Sequence, residues 1–591
     1  VRYAEKPMRF RTLAAAGLAI IVVILVAAGL FWRPNPDPDV RPDDENPWFE
    51  DVSRSAGIHF KHFDPATRLH LIPETMGTGI GWIDYDADGW PDLFCVQACG
   101  LFGKNPDPSL THKLFRNNRD GTFRDVTIAC GLGAPAPFGT GLGVADYDND
   151  GFDDLLVAHW GGVTLFHNEA DPASPGGRKF RDVSAGSGLI NTHYSTSVAW
   201  GDLDSDGLLD LYVCNYVEVD PDNPISCKDK ASNLYHDCAP TSYPAVAHKL
   251  FRNLGGGRFA DVTQESGIGA VRSAPGLAVA IADLDGDGNV DIYVANDLSP
   301  AFLFRNLGKM RFREEGMLAG AALGVRGARI AGMGIVVADL SNVGRPSLFV
   351  TNFQELPNTL FLNQGGMRFN ENSFPSGLGG PSLSKLGFGT CDLDVDLDGN
   401  FDLAVANGHV NRISAEMTGV PYPQSTQLFR SEGPAKFRDV SESAGRDFVK
   451  PRVGRGLARS DYDRDGLPDL ALSGVGEEAV LFRNRIQTTN GWLHLELVGD
   501  GKRSNRNAIG AVVQIETGNV VRHHYVIGGG SYLSASERDL FIGMGNAAKS
   551  DKVTVRWPSG LVQEFRDFPA RTRWRLKEGV AAPEPIQLPK P

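Results

Sequence analysis

Residues 146–154 read Asp146-Tyr147-Asp148-Asn149-Asp150-Gly151-Phe152-Asp153-Asp154. Aspartates stand at the first, third, fifth and ninth places, with a glycine at the sixth. The same frame opens at Asp84, Asp146, Asp202, Asp283, Asp394 and Asp461, and a seventh copy at Asp339 keeps Gly344 but has Ser341, Val343 and Ser347 in place of the later acids. Successive copies are 62, 56, 81, 56, 55 and 67 residues apart. Recurrence on that scale marks a repeat architecture. Two further patterns keep the same register. Leu-Phe-Arg-Asn or a near variant begins at Leu114, Leu165, Leu250, Leu303, Leu360, Leu428 and Leu481. A phenylalanine stands two residues before an Asp-Val-type segment at Phe49, Phe123, Phe180, Phe259 and Phe437, and in weaker form at Phe312 and Phe369.

Each unit reads as an apolar run (141–145 in the second), the acidic loop, an alternating strand (155–158), Leu-Phe-Arg-Asn, a glycine turn and Phe-x-Asp-Val. Four short strands per unit make a propeller blade. The expected fold is all-β, a seven-bladed β-propeller over residues 48–487. Phe49 opens a fourth strand lacking its first three, and 481–484 form a third strand lacking its fourth, so the two ends would complete one blade and leave no free edge.

The chain of 591 residues is 42% hydrophobic and 22% charged, a globular composition that excludes a disordered, collagenous or multi-span membrane protein. Its formal charge of −14 opposes contact with polyphosphate, so no nucleic-acid partner is expected. Residues 1–12 are basic, with Arg2, Lys6, Arg9 and Arg11, and precede an uncharged run at 13–32 that stops before Arg33. That run is long enough for a transmembrane signal anchor with the N-terminus inside. Its small residues at Val26-Ala27-Ala28 also fit a cleaved signal peptide. Both readings export the remainder, on a membrane or secreted. Residues 33–47, rich in Pro and Asp, predict an extended linker. In an oxidising compartment Cys227 and Cys238, which share the insertion in the longest spacing, are expected to pair, with Cys95 and Cys99 a second candidate pair.

Carboxylates at alternate positions on a tight glycine turn gather the hard oxygen donors that Ca²⁺ requires. The expected ligands are Asp84, Asp86, Asp88 and Asp92; Asp146, Asp148, Asp150 and Asp154; Asp202, Asp204, Asp206 and Asp210; Asp283, Asp285, Asp287 and Asp291; Asp394, Asp396, Asp398 and Asp402; and Asp461, Asp463, Asp465 and Asp469. The twelfth places are Cys95, Val157, Val213, Val294, Val405 and Leu472, which lack the glutamate of an EF-hand. Turn preference explains one or two acids in such a loop, not four. About six structural ions of extracellular-grade affinity would together stabilise the fold by roughly 2.5–8 kcal/mol.

Beyond Asn484 the repeat stops. Alternating runs at 492–498, 512–515 and 553–557, separated by glycines such as 528–530, predict a small β-domain over 488–579 and a Pro-rich tail at 580–591. Here the chain resembles known groups. The repeats are similar to the FG-GAP/VCBS repeats of integrin-α-type propellers. The segments Asn505-Arg506-Asn507-Ala508-Ile509-Gly510-Ala511, Gly529-Gly530-Ser531-Tyr532-Leu533-Ser534 and Val555-Arg556-Trp557-Pro558-Ser559-Gly560 resemble the ASPIC/UnbV domain. The combination resembles the cartilage acidic protein 1 family, as do His62, Pro73-Glu74-Thr75-Met76-Gly77 and Asn407-Gly408-His409-Val410. The resemblance implies a calcium-binding propeller on an exported or cell-surface protein, with adhesion or matrix binding and no catalytic activity. The loop at Asp339 departs from the pattern.

The sequence contains no HExxH, Gly-x-Ser-x-Gly, P-loop or Rossmann fingerprint, so no enzyme is expected. His62, Glu74 and His409 are the candidates for a channel-mouth site, although such residues more often cap turns or bridge blades. Arg116 and Asn117 of the repeated Leu-Phe-Arg-Asn are expected to fasten blade to blade. The leading functional reading is an exported, membrane-tethered, calcium-binding module for cell-surface binding, adhesion or scaffolding of a protein or glycan partner. A lectin-like carbohydrate binder would repeat an aromatic residue at one loop position, a series that Trp90 and Trp160 do not form. A propeller hydrolase or accessory enzyme is the third reading.

Overall fold

The computed structural model describes residues 46–587 apart from 105, 106 and 231. The basic segment, the apolar run at 13–32 and all but the end of the linker lie outside the described residues. Among the described residues no helix is long and apolar enough to cross a membrane.

The repeats build seven four-stranded antiparallel meanders. In the second, Gly139–Ala145, Asp154–His159, Gly162–Ala170 and Arg178–Asp182 pair in chain order. The first strands of the others are Ile80–Ile83, Ser195–Gly201, Gly276–Ala282, Ile335–Ala338, Gly387–Leu393 and Gly454–Ser460. The seventh meander takes its fourth strand from the start of the chain: Phe49–Asp51 pairs with Val480–Asn484, Phe49 opposite Asn484. First strands lie beside one another from sheet to sheet, the seventh beside the first. They are largely buried, and glycines recur in them where the neighbouring backbone comes close. A Cβ on Gly141 would stand 2.1 Å from the Thr196 carbonyl oxygen. Larger side chains fill the wedges between sheets, as where Trp82 stacks on Tyr462 at 6.2 Å.

The C-terminal region forms two packed four-stranded sheets. One orders Leu540–Gly545, Gly491–Val498, Thr572–Lys577 and Glu584–Pro585; the other orders Val520–Tyr525, Val512–Thr517, Lys549–Arg556 and Val562–Pro569. The strand at Glu584–Pro585 corrects the reading of 580–591 as tail alone, since Arg575 and Trp574 pair with it. Leu493, Val513, Val553, Trp557 and Phe565 share one continuous apolar cluster with Tyr147, Trp200 and Leu211 of the repeats.

The segment joining Val520–Tyr525 to Leu540–Gly545, which the sequence presents as a glycine-rich connector, leaves this sandwich and enters the space lined by the seven first strands. Gly528–Gly529 adds as a fifth strand to the fourth sheet. Beyond it, Ser531 exchanges backbone bonds with Ile335 of the fifth sheet, its N–H donating at 2.7 Å, and its hydroxyl donates to Leu457 O of the seventh. Thr390 of the sixth donates to that hydroxyl. Leu142 of the second sheet donates to Leu533 O, Leu533 donates to the Ser197 hydroxyl of the third, and Trp82 of the first donates to Ala535 O at 3.0 Å. One segment thus bonds to all seven first strands. Ser531 and Leu533 hold left-handed φ values of 50° and 56°, a conformation that this surrounding network imposes. At Gly528 an added Cβ would stand 1.8 Å from Trp200 O. Gly528→Ala is therefore expected to destabilise the full chain by about 1–3 kcal/mol, and calorimetry should show repeats and sandwich melting in one transition. Two separate melts, with only the sandwich affected, would contradict this arrangement.

Candidate metal centres on the acidic loops

Each acidic loop lies between the first and second strand of its sheet. The first aspartate builds the turn. Asp84 Oδ1 accepts from Asp88 N–H at 3.0 Å and Oδ2 from Gly89 N–H at 2.8 Å, and Asp202 and Asp394 repeat the pattern. The ninth-place aspartate ties the loop to the third strand: Asp92 accepts from Asn117 N–H at 2.8 Å and Tyr85 N–H at 3.3 Å, Asp210 from Asn253 and Leu203 N–H. The fifth-place carboxylate closes a local turn, Asp88 with Trp90 N–H and Asp206 with Leu208 N–H.

The third-place aspartate is different. In the first loop Arg116 Nε donates to Asp86 Oδ2 at 2.8 Å, and the same guanidinium reaches Asp88 at 3.3 Å. Arg252 spans Asp204 and Asp206, Arg305 Asp285 and Asp287, Arg430 Asp396 and Asp398, and Arg483 Asp463 and Asp465. The arginine therefore binds the loop of its own sheet, which corrects its expected role as a fastener between blades. The other oxygen, Oδ1 of Asp86, Asp204 and Asp396, is buried without a hydrogen-bond partner. In the second unit His167 replaces the arginine, with Nδ1 at 3.1 Å from Asp154 and 3.7 Å from Asp148. Oxygens of Asp84, Asp86 and Asp92, of Asp146, Asp148 and Asp150, and of Asp202, Asp204 and Asp206 gather within 4.8 Å in each group. Burial pushes the Asp146 carboxyl up to about 8 and those of Asp154 and Asp202 to about 7. It also raises Asp92, Asp291, Asp402 and Asp469 well above the usual carboxylate range. A cation would offset this desolvation. Lone pairs left on these oxygens, together with the orphaned third-place oxygen, make a donor set that fits a hard divalent ion.

The asparagine of the repeat is the fastener between sheets. Asn253 Nδ2 donates to Leu209 O of its own loop and, at 2.8 Å, to Tyr147 O of the preceding one. Asn117, Asn168, Asn306, Asn363 and Asn484 make the same bond to Tyr462, Tyr85, Leu203, Leu284 and Val395. Ser431 holds this place in the sixth unit, where Ala435 N–H takes over by donating to Leu340 O.

The sandwich rests on the acidic-loop face. Arg556 reaches Asp283 at 2.7 Å, Arg538 holds Asp153 with contacts of 2.6 and 2.7 Å, Asn507 accepts from Asp146 N–H, and Arg522 donates to Gly399 O. Between them a cavity of about 340 Å³, lined by Asp84, Asp146, Arg506 and Arg573 among others, remains open.

His62, Glu74 and His409 serve local structure. Glu74 accepts from Leu71 N–H, Thr67 N–H and the Thr67 hydroxyl. His62 Nδ1 accepts from Gly476 N–H, His409 Nδ1 accepts from Asn411 N–H, and burial pushes the two imidazoles down to about 3 and about 4. Sequence reading missed Arg455, which is fully buried, donates to Thr75, Gly408 and His409 carbonyls and lies 3.9 Å over the Phe388 ring. An arginine inside a glycine-rich strand carries no motif that would have marked it. Cys227 and Cys238 are disulfide-bonded as expected. Cys95 and Cys99 are not paired with each other: Cys95 is buried in the cluster of Trp82 and Phe115, and the Cys99 thiol donates to Ala136 O.

Comparison with known proteins agrees with this division. Residues 501–583 match the ASPIC and UnbV family model, and 84–157, 146–213, 246–294 and 283–350 match the FG-GAP-like repeat. The chain carries both. It is 26% identical to cartilage acidic protein 1 of Mus musculus, covering 83% of this chain and 71% of that one. To the Homo sapiens protein of that name it is 26% identical, covering 87% and 74%. Among solved structures, an Agrocybe aegerita lectin recognising terminal N-acetylglucosamine aligns with a TM-score of 0.36 at 15% identity, covering 67% of this chain and 88% of that one. YCF48 bound to D1 peptide aligns at 0.40 and 8%, covering 77% and 100%. Likeness at that level carries no functional argument.

The fastening bond gives a direct test. Asn253→Ala strands the Tyr147 and Leu209 carbonyls and is expected to cost about 2–4 kcal/mol in urea unfolding, whereas Ser431→Ala costs under about 1 kcal/mol. Equal costs would remove the asparagine from this role.

Proposed function

We propose that the chain is an exported, closed seven-bladed propeller stiffened by Ca²⁺ in its six complete acidic loops, serving as a binding or scaffold module for a protein or glycan partner. The observation that carries the metal reading is the decayed loop of the fifth sheet. Asp339 alone makes the same turn there, accepting from Val343 N–H at 3.0 Å and Gly344 N–H at 2.7 Å, with Ser347 at the ninth place. One acid suffices for the turn, so the three further acids of the complete loops answer another demand. The first-, third-, fifth- and ninth-place aspartates would hold the ion. The ion would supply the countercharge that buried carboxylates lack and would tie the loop ends together.

The export reading rests on the basic and apolar segments before residue 34. The binding reading rests on what remains accessible. The sandwich rests on the acidic face and residues 528–537 fill the channel, which leaves the opposite face and the part of the sandwich where Val520, Val521 and Val562 are exposed. The filled channel weighs against a hydrolase acting through it.

Melting in EDTA and in millimolar Ca²⁺, with bound metal counted, tests the loops. About six ions, a rise in stability of roughly 2.5–8 kcal/mol and the loss of one ion in Asp204→Asn are expected. An unchanged melt with no bound metal would reject calcium and leave the strand order intact.

A further inference from the structure

The arginine of Leu-Phe-Arg-Asn follows the acids of its own loop through the chain. It is present in five of the six complete units as Arg116, Arg252, Arg305, Arg430 and Arg483, and His167 replaces it in the remaining one. In the decayed unit, where Ser341 and Val343 have replaced the third- and fifth-place acids, the arginine position is Leu362. A residue that served the sheet would have no reason to vanish with the acids. It does not sit between sheets either, because the neighbouring asparagine makes that link. Its contacts are the third- and fifth-place carboxylates, 2.5 and 3.3 Å from Arg252 in the third loop.

We infer that this arginine is a built-in countercharge that sets the affinity of the acidic loop for a divalent cation, an inference that rests on the metal reading above. Without metal, the guanidinium neutralises one of two crowded carboxylates and holds them together, so the loop folds before an ion arrives. With metal, the same positive charge stands a few ångströms from the ion and opposes it. A unit charge about 6 Å from a divalent ion in a water-like dielectric changes the binding constant about tenfold. Each loop would thus trade affinity for metal-free stability. The position also fixes which oxygen of the third-place aspartate faces inward, because Arg116 and Arg430 occupy Oδ2 and leave Oδ1 of Asp86 and Asp396 buried without a partner.

The test uses the full chain, with Ca²⁺ alone as the probe. Arg252→Gln removes the charge from one loop and keeps a polar side chain of similar length, and Arg252→Lys restores the charge. In Arg252→Gln one ion more than in wild type should bind at about tenfold lower free Ca²⁺, read in a titration with metal counting, while the melting point in EDTA falls. Arg252→Lys should follow the wild-type titration. If Arg252→Gln lowers the EDTA melt but its titration superposes on wild type or shifts to weaker binding, the arginine is structural only and the inference fails while the metal reading stands. If wild type takes up no divalent cation, both fail. Should Arg252→Gln not fold, Arg305→Gln in the fourth loop gives the same reading with the same outcomes.

Discussion

Seven sheets set side by side around an axis present seven inner edges, each a row of backbone N–H and C=O groups facing a narrow central space. Buried edges of that kind must find partners. Here they find them in one segment of another domain. Residues 528–537 bond to every first strand in turn and do so with hydroxyls as much as with backbone: Ser531, Ser534 and Ser536 reach edges that a regular strand could not serve together. A strand can satisfy one or two neighbours; a segment bent through left-handed φ at Ser531 and Leu533 can turn to face seven. The glycine-rich first strands and the narrow space follow from the same demand, since any Cβ at Gly528, or at Gly79 opposite Leu533 O, would push the segment out.

The acidic face is organised by a second demand, the desolvation of carboxylates. Each complete loop places four aspartates in nine residues under the sandwich; the ninth-place acids are all buried, whereas Asp150, Asp206, Asp287 and Asp465 stay exposed. Backbone N–H groups take the first and ninth, the repeat arginine takes part of the third and fifth, and the sandwich arginines take Asp283 and Asp153. The uncompensated remainder is located at named oxygens and not spread over the face. Loss of water raises the Asp146, Asp202, Asp394 and Asp469 carboxyls most, and the neighbouring carboxylates raise them further. Asp339, with only one acid in its loop, still forms the turn through the Val343 and Gly344 N–H groups.

Much of this was legible in the sequence. The period, the acidic loops and the strand order within a unit are local patterns, and each copy reads the same way. The three C-terminal motifs hold several residues that touch the repeats, among them Arg506, Asn507, Gly529 to Ser534 and Arg556. What was not legible depends on distant partners. Gly528-Gly529-Gly530 reads as a turn until seven edges are placed around it. Arg116 reads as a fastener between blades until the strand order puts it beside Asp86. Cys95 and Cys99 look close enough to pair, yet one belongs to a strand facing Trp82 and the other to the loop beyond it, and nothing in four residues of spacing discloses that.

Joining these demands constrains how the two domains can behave. The segment that fills the channel and the arginines that reach the loops belong to the same sandwich, so the sandwich cannot lift from the acidic face without withdrawing from the channel as well. Withdrawal would expose the inner edges and the carboxylates together, and both carry desolvation or unmet hydrogen bonds that water alone would have to repay. Recognition of a partner is therefore more economical on a surface that leaves this joint closed. A rigid joint also fixes the exposed surfaces of the sandwich in orientation to the repeats, the property that the proposed scaffold role needs. The buried acids, the asparagine fasteners and the channel segment drawn from the sandwich all fix the position of one surface against another.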